Sequence, residues 1–169
     1  LTARYADGSS MSAVNTQRPL SMVVDGIKTT SDNYADMGSD SDQAGVTSAY
    51  FQVDLEDVYA ISDVALYRYW KDGRSYTNSV IAISKTEDFS DAYVVYNSDV
   101  NNIHGFGAGT DAAYEETSAG KSWSFDETLG RYVRVYMSGS TSGNTMHIVE
   151  LEVYGKEYNE TLDLSALET

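Results

Sequence analysis

The sequence predicts an all-β domain, a β-sandwich of the jelly-roll type. Apolar residues recur at every second position in a series of short stretches. The segments between these stretches are rich in Gly, Ser, Asn and Asp, the residues of tight turns. The chain also holds 14 Tyr against a single Pro. Tyrosine favours the flat, half-buried surface of a pleated strand.

The elements follow in chain order. Over 50–55, Phe51, Val53 and Leu55 face one way and Gln52 and Asp54 the other. Residues 64–69 alternate in the same manner, so one of Tyr67 and Arg68 is expected to be buried. Residues 80–84 form a compact apolar run, and 93–96 another. Trp123 and Phe125 alternate with Ser122 and Ser124. Val133, Val135 and Met137 share a face over 131–137, as do Val149, Leu151 and Val153 over 147–154. That makes seven or eight strands, in line with sandwich and jelly-roll folds. No long helical period stands out, although Ser62 or Asp111 can begin a short helical turn.

A length of 169 residues suits one domain with its own core. Hydrophobic residues make up 41% of the chain, which argues against disorder. No apolar run approaches membrane-spanning length, so membrane insertion is not expected. The net charge of −15 argues against nucleic acid, whose phosphates need clustered Lys and Arg. Anionic membrane surfaces are disfavoured for the same reason. Calcium and neutral sugars remain compatible with such a charge. Cysteine is absent, which excludes disulfides and thiol catalysis. The chain opens at Leu1 with no signal-peptide pattern and is expected to belong to a longer polypeptide, whose other domains are its partners. The domain is expected over 1–156, with 157–169 as a linker or the start of the next domain.

Three motifs stand in order along the chain. The first is Met22-Val23-Val24-Asp25-Gly26-Ile27-Lys28-Thr29-Thr30. The second is Arg131-Tyr132-Val133-Arg134-Val135. The third is Ile148-Val149-Glu150-Leu151-Glu152-Val153-Tyr154-Gly155. Together they resemble the discoidin domain, also called the coagulation factor V/VIII C-type domain, which in bacterial enzymes is carbohydrate-binding module family 32. The resemblance spans residues 12–156. It implies a galactose-binding-domain-like sandwich, an extracellular setting and a non-catalytic role. Many family members carry Trp soon after the first motif, and here Tyr34 takes that place.

Calcium takes six to eight oxygen ligands, mixing carboxylates with carbonyls. The resemblance implies Asp25 and Thr30 as side-chain ligands, Met22 and Ile27 as carbonyl ligands, and the Val149 carbonyl with the Glu150 carboxylate from the closing strand. The ion then ties the first loop to the last strand. An EF-hand over 25–36 fails, because its sixth position is Thr30 instead of Gly and its twelfth is Asp36 instead of Glu. Asp36, Asp40 and Asp42 are expected to be a solvated loop.

A neutral sugar is held by aromatic rings against its C–H face and by charged or amide groups on its hydroxyls. Residues 67–78 have that composition around an Asp-Gly turn. Residues 101–111 offer His104 beside Phe106 among glycines, and 138–146 offer Asn144. The candidates are Trp70, Arg74, Tyr76 and His104, supported by Tyr69, Asn78 and Asn144. Each has an alternative role. Trp70 can cap the core edge, Arg74 can pair with Asp72, Tyr76 can be a strand residue and His104 can bond its own loop. His147, at a strand start, is expected to be structural.

Catalytic patterns fail one by one. Gly105, Gly107 and Gly109 do not form a dinucleotide fingerprint, and no βαβ pattern surrounds them. The run 139–143 has the shape of a nucleophile elbow with Thr141 at its centre instead of Ser. Two His do not make a zinc motif. The expected function is therefore binding of galactose-, N-acetylgalactosamine- or fucose-type glycans, the sugar identity implied by the resemblance alone. An adhesion module that binds protein without sugar specificity is the alternative.

Overall fold

The computed structural model describes residues 1–5, 8–9, 16–37 and 49–159. Asp40, Asp42 and the stretch 160–169 lie outside them. Among the described residues, seven strands run in the order β1 (Thr2–Tyr5), β2 (Ala35–Asp36), β3 (Ala49–Arg68), β4 (Val80–Ser84), β5 (Tyr93–Asn97), β6 (Lys121–Met137) and β7 (His147–Glu157), with a 3-10 turn at Leu20–Val24 before β2. All pairings are antiparallel.

Two long strands build the sandwich. The first part of β3 pairs with β1, and its second part pairs with β7. β6 follows β3 along nearly its whole length, while only the second part of β6 reaches β4. Hence β1, β4 and β5 belong to one layer, β2 and β7 to the other, and β3 and β6 run through both. The turn from layer to layer is marked by a register shift between Asp54 and Tyr59. Glu56 sits there at φ 72°, in the left-handed region that a non-glycine residue enters only under local constraint. The Asp54 side chain supplies the constraint, accepting the Glu56 N–H at 2.8 Å and both ends of the Arg131 guanidinium at 2.7 and 2.9 Å.

Inward residues of both layers share one core, among them Phe51, Ile81, Val135, Leu66, Ile148 and Leu151. Gly155 faces Ile61 across the β3/β7 ladder. A Cβ there would lie 2.3 Å from the Ala60 carbonyl oxygen, so the strands approach too closely for any other residue. Ser62 lies inside β3 and Asp111 in a loop, so neither begins a helix. Ser62 falls at the irregularity between Ile61 and Asp63 within β3, and Asp111 bonds back to Asn97.

Of the pair Tyr67 and Arg68, it is Arg68 that is buried, at 1% exposure. Its guanidinium donates to Glu116 at 2.7 Å, to the Ser79 hydroxyl at 2.8 Å and to the Tyr114 hydroxyl at 2.9 Å. Glu116 in turn gives its own N–H to the Arg74 carbonyl at 2.9 Å. A buried ion pair thus fastens the loop between β5 and β6 to the turn after β3. A charge taken out of water persists when it is paired and hydrogen-bonded in this way, although the second carboxylate oxygen of Glu116 has no hydrogen-bond partner among the described residues.

Candidate functional site

Three segments meet where β7 begins. β2 pairs Asp36 with His147. The turn after β3 sends the Tyr69 N–H to the His147 carbonyl at 3.4 Å, and the Tyr76 hydroxyl to the same oxygen at 3.1 Å. The loop 138–146 is laced to that turn: Thr77 N–H donates to the Gly139 carbonyl at 3.0 Å, and Thr141 N–H to the Ser75 carbonyl at 2.9 Å.

Aromatic and cationic groups collect at this junction. The His147 ring stacks on Tyr34, with centroids 4.1 Å apart and planes at 24°. Tyr69 meets both rings edge-on, at 5.5 Å from Tyr34 and 6.0 Å from His147. Arg18 lies over Tyr34 at 4.0 Å, and Arg74 over Tyr69 at 4.5 Å. Arg74 makes a two-pronged pair with Asp72 at 2.8 and 2.7 Å and donates to the Thr145 hydroxyl at 2.8 Å. That pairing holds the Asp72 carboxyl well below its usual range. These bonds use three of the five guanidinium N–H groups, the Tyr76 hydroxyl lies against the same guanidinium, and Arg74 is buried at 9% exposure. Burial, aided by Arg74 and Arg18, pushes the His147 imidazole down to about 4. At neutral pH it is therefore uncharged, and Asp36, 3.7 Å from its Nε2, faces a neutral ring. The buried Nδ1 has no hydrogen-bond partner among the described residues.

The sequence candidates divide. Arg74 and Tyr69 are in this group, and Trp70 adjoins it, half-buried at the head of the turn with its carbonyl accepting the Gly73 N–H at 3.1 Å. Asn144 is exposed beside Thr145. Tyr76 is 1% exposed, and its ring packs 4.5 Å below the Arg68 guanidinium. It offers no surface to a ligand and instead supports the site from the core; burial pushes its phenol up to about 12. His104 packs against Tyr136 beside Phe106, and its Nε2 is 2.5 Å from the Asn78 carbonyl. His104 and Asn78 thus form a second group on the outer face of the β1/β4/β5 layer, apart from the contacts of Arg74. The pairing with Asp72 that the sequence offered as the alternative role of Arg74 is present, and it orients the guanidinium. The sequence missed His147, Arg18 and Asp36 as members. Tyr34, standing where the resemblance has Trp, was the available signal.

The first motif meets the last strand a short way along β7. Gly26 N–H donates to Glu150 Oε2 at 3.1 Å. Asp25 accepts the Ile27 N–H at 2.9 Å and the Asn33 amide at 3.2 and 3.0 Å. Thr30 Oγ1 accepts the Asp32 N–H at 3.2 Å. Val149 and Glu150 are buried, and Met22 packs against the core edge. Burial, with Asp25 adding its like charge, pushes Glu150 up to about 7. Two neighbouring carboxylates in such a place call for a proton or a cation. The donors are all hard oxygens, the chemistry of calcium and not of zinc. Among the described residues no three His, Cys, Asp or Glu group as metal ligands. A cation here would therefore depend on backbone carbonyls as much as on Asp25 and Glu150.

The sandwich with its loop-end group has the fold of the carbohydrate-binding modules of family 32. Among solved structures it is similar to the family 32 module of AlyQ in complex with 4,5-unsaturated mannuronic acid, at 19% identity and a TM-score of 0.60, over 86% of this chain and 92% of that one. It is similar to the family 32 module of Clostridium perfringens NanJ in complex with galactose, at 17% and 0.59, over 90% and 91%. A Streptococcus pneumoniae fucose-binding module, SpX-3, matches at 16% and 0.58, over 92% and 93%. A family 89 glycoside hydrolase of Clostridium perfringens matches at 17% and 0.61 over 92% of this chain, which spans 14% of that enzyme's length. The sequence matches no protein-family model and no curated protein. At these identities the likeness establishes the fold.

Proposed function

We propose that this chain is a non-catalytic carbohydrate-binding module of a secreted or cell-surface glycan-degrading protein, stabilised by one calcium ion held by Asp25, Glu150 and the neighbouring carbonyls. The observation that carries the reading is the junction at the start of β7, where Tyr34, Tyr69 and His147 stand beside an Arg74 fixed by Asp72. Aromatic rings next to a guanidinium held in one orientation suit a hydroxylated ring. Trp70 and Asn144 flank the junction as adaptable contacts. Galactose-, N-acetylgalactosamine- and fucose-type glycans are the first ligands to try. Attachment to a parent protein would place the module on its substrate; among the described residues no helix is long and apolar enough to cross a membrane.

Glycan-array screening followed by calorimetry tests this. Arg74→Ala should weaken binding at least about tenfold, the cost of removing charge-assisted hydrogen bonds, with the thermal transition retained. An array with no binding by the wild-type chain, or an Arg74→Ala variant that binds as tightly as wild type, would refute the assignment.

A further inference from the structure

The two outer faces of the sandwich differ. On the β1/β4/β5 side, Tyr50, Val80, Ala82, Phe89 and Tyr136 form a small second core with Phe106 against it. On the β2/β7 side the register sets what faces out. Val64 and Leu66 enter the core, so Asp63, Ala65 and Tyr67 point away from it. Asp63 stands opposite Tyr154 and Ser124, and Ala65 opposite Glu152 and Ser122. The middle of this grid holds only the small side chains of Ala65 and Ser122. They leave a groove of about 350 Å³, lined also by Asp63 and Tyr154.

The walls of the groove are aromatic and acidic. Tyr154 is 50% exposed, and its hydroxyl donates to Glu152 Oε2 at 2.8 Å. The other Glu152 oxygen accepts from Lys28 at 2.6 Å. Asp63 accepts from the Ser62 and Ser124 hydroxyls at 2.6 and 2.5 Å. An ionised carboxylate has about four acceptor sites, so each is held in place with capacity left for a ligand. Lys28 also lies 5.1 Å above the Tyr67 ring, closing one side. Gly120 packs closely against the same ring, where a Cβ would come within 2.5 Å of it.

We propose that this face carries a second carbohydrate-binding groove, in which a neutral pyranose stacks on Tyr154 and gives hydroxyl protons to Asp63 and Glu152. A flat ring beside fixed acceptors matches the C–H face and hydroxyl rim of such a sugar. Charge sets the class. Lys28 offsets Glu152, and Asp63 leaves one negative charge, which disfavours a uronate or sulfated sugar. Two sites on one module let it hold a long glycan at two points, and avidity then exceeds either affinity alone.

Amide-resolved NMR titration of the full 169-residue chain with galactose, lactose and cellotetraose tests the groove apart from the loop-end site. The Ala65, Ser122 and Tyr154 amides should shift with at least one of these sugars, both in wild type and in Arg74→Ala. Tyr154→Ala should weaken that response about tenfold and Tyr154→Phe by no more than about twofold, because the ring makes the contact. Three outcomes would overturn the proposal. One is no shift at these amides with tens of millimolar of any of the three sugars. Another is loss of the shifts in Arg74→Ala, which would assign them to the loop-end site. The third is a response only in a parallel titration with glucosamine, which would mean that the groove takes cations. Shifts at Ala65 and Tyr154 with none around Arg74 would sustain this groove while removing the loop-end assignment.

Discussion

His147 shows how burial sets the behaviour of a single residue. Its imidazole is pressed between Tyr34 and Tyr69 with two guanidinium groups close by, and its affinity for protons falls to about 4 from 6.5. The sign of the linkage follows. As pH drops below 6.5 the unfolded chain takes up a proton that the folded chain refuses until about 4, so stability is lost across that window. The loss is on the order of 3 kcal/mol if the full interval is realised. The urea midpoint should therefore fall between pH 7 and pH 4.5, and fall less in His147→Gln; equal slopes for the two proteins would contradict the buried neutral ring. Burial lowers His104 as well, so its contribution runs in the same direction. These properties were invisible to residue spacing. Tyr76 stands next to a strand and His147 begins one, and nothing in their neighbours tells that Tyr76 turns into the core while His147, itself buried, packs against Tyr34 and Tyr69. The Arg-aromatic composition of 67–78 was legible, because its residue types already declare the chemistry. Arg18 and Asp36 became members only through folding, since β2 and the segment before it are brought to β7 from far along the chain.

At the scale of elements, the alternating stretches 50–55 and 64–69 were legible as strands but not as one strand. Both lie within β3, as 122–125 and 131–137 both lie within β6. The polar stretch Asp54 to Asp57 has the composition of a turn, and a bulge uses such residues without ending the ladder. Joining these pairs gives a sandwich whose layers share two strands, so strain at the corner reaches both. Gly155 closes the third sequence motif, and the reason is now physical: it passes the Ala60 carbonyl beside the register shift between Ile61 and Asp63. Gly155→Ala must push β7 away from β3, because the obstructing atom is backbone and cannot rotate aside. The expected cost is about 2–3 kcal/mol, as for other substitutions that overpack a close contact. It should appear as a lower urea midpoint with an unchanged slope. A midpoint equal to wild type would show that the ladder has slack at this point.

Across the whole molecule, the first motif is tied to the last strand over most of the length of the chain. Gly26 reaches Glu150 over 124 residues, and Lys28 reaches Glu152 over the same span. The order of the motifs anticipated this closure, because a carboxylate in the last strand is useful to the first loop only if the two meet. It left open what fills the space between Asp25 and Glu150, since geometry alone does not distinguish a proton from a cation. Calcium would bind the folded chain and not the unfolded one, whose ligands are scattered. At one hundred times its dissociation constant it would add about 2.7 kcal/mol. For a domain of this size, that raises the unfolding temperature by roughly 5–10 °C. The rise should occur with calcium and fail with the same concentration of magnesium, which holds its water too tightly for a site built on carbonyls. In Glu150→Gln the shape is kept while one charge is removed, so calcium should shift the transition far less than in wild type. Identical unfolding temperatures in calcium and in chelator would remove the ion, and Glu150 would then be held by protonation, with stability falling as pH rises from 4.5 through about 7.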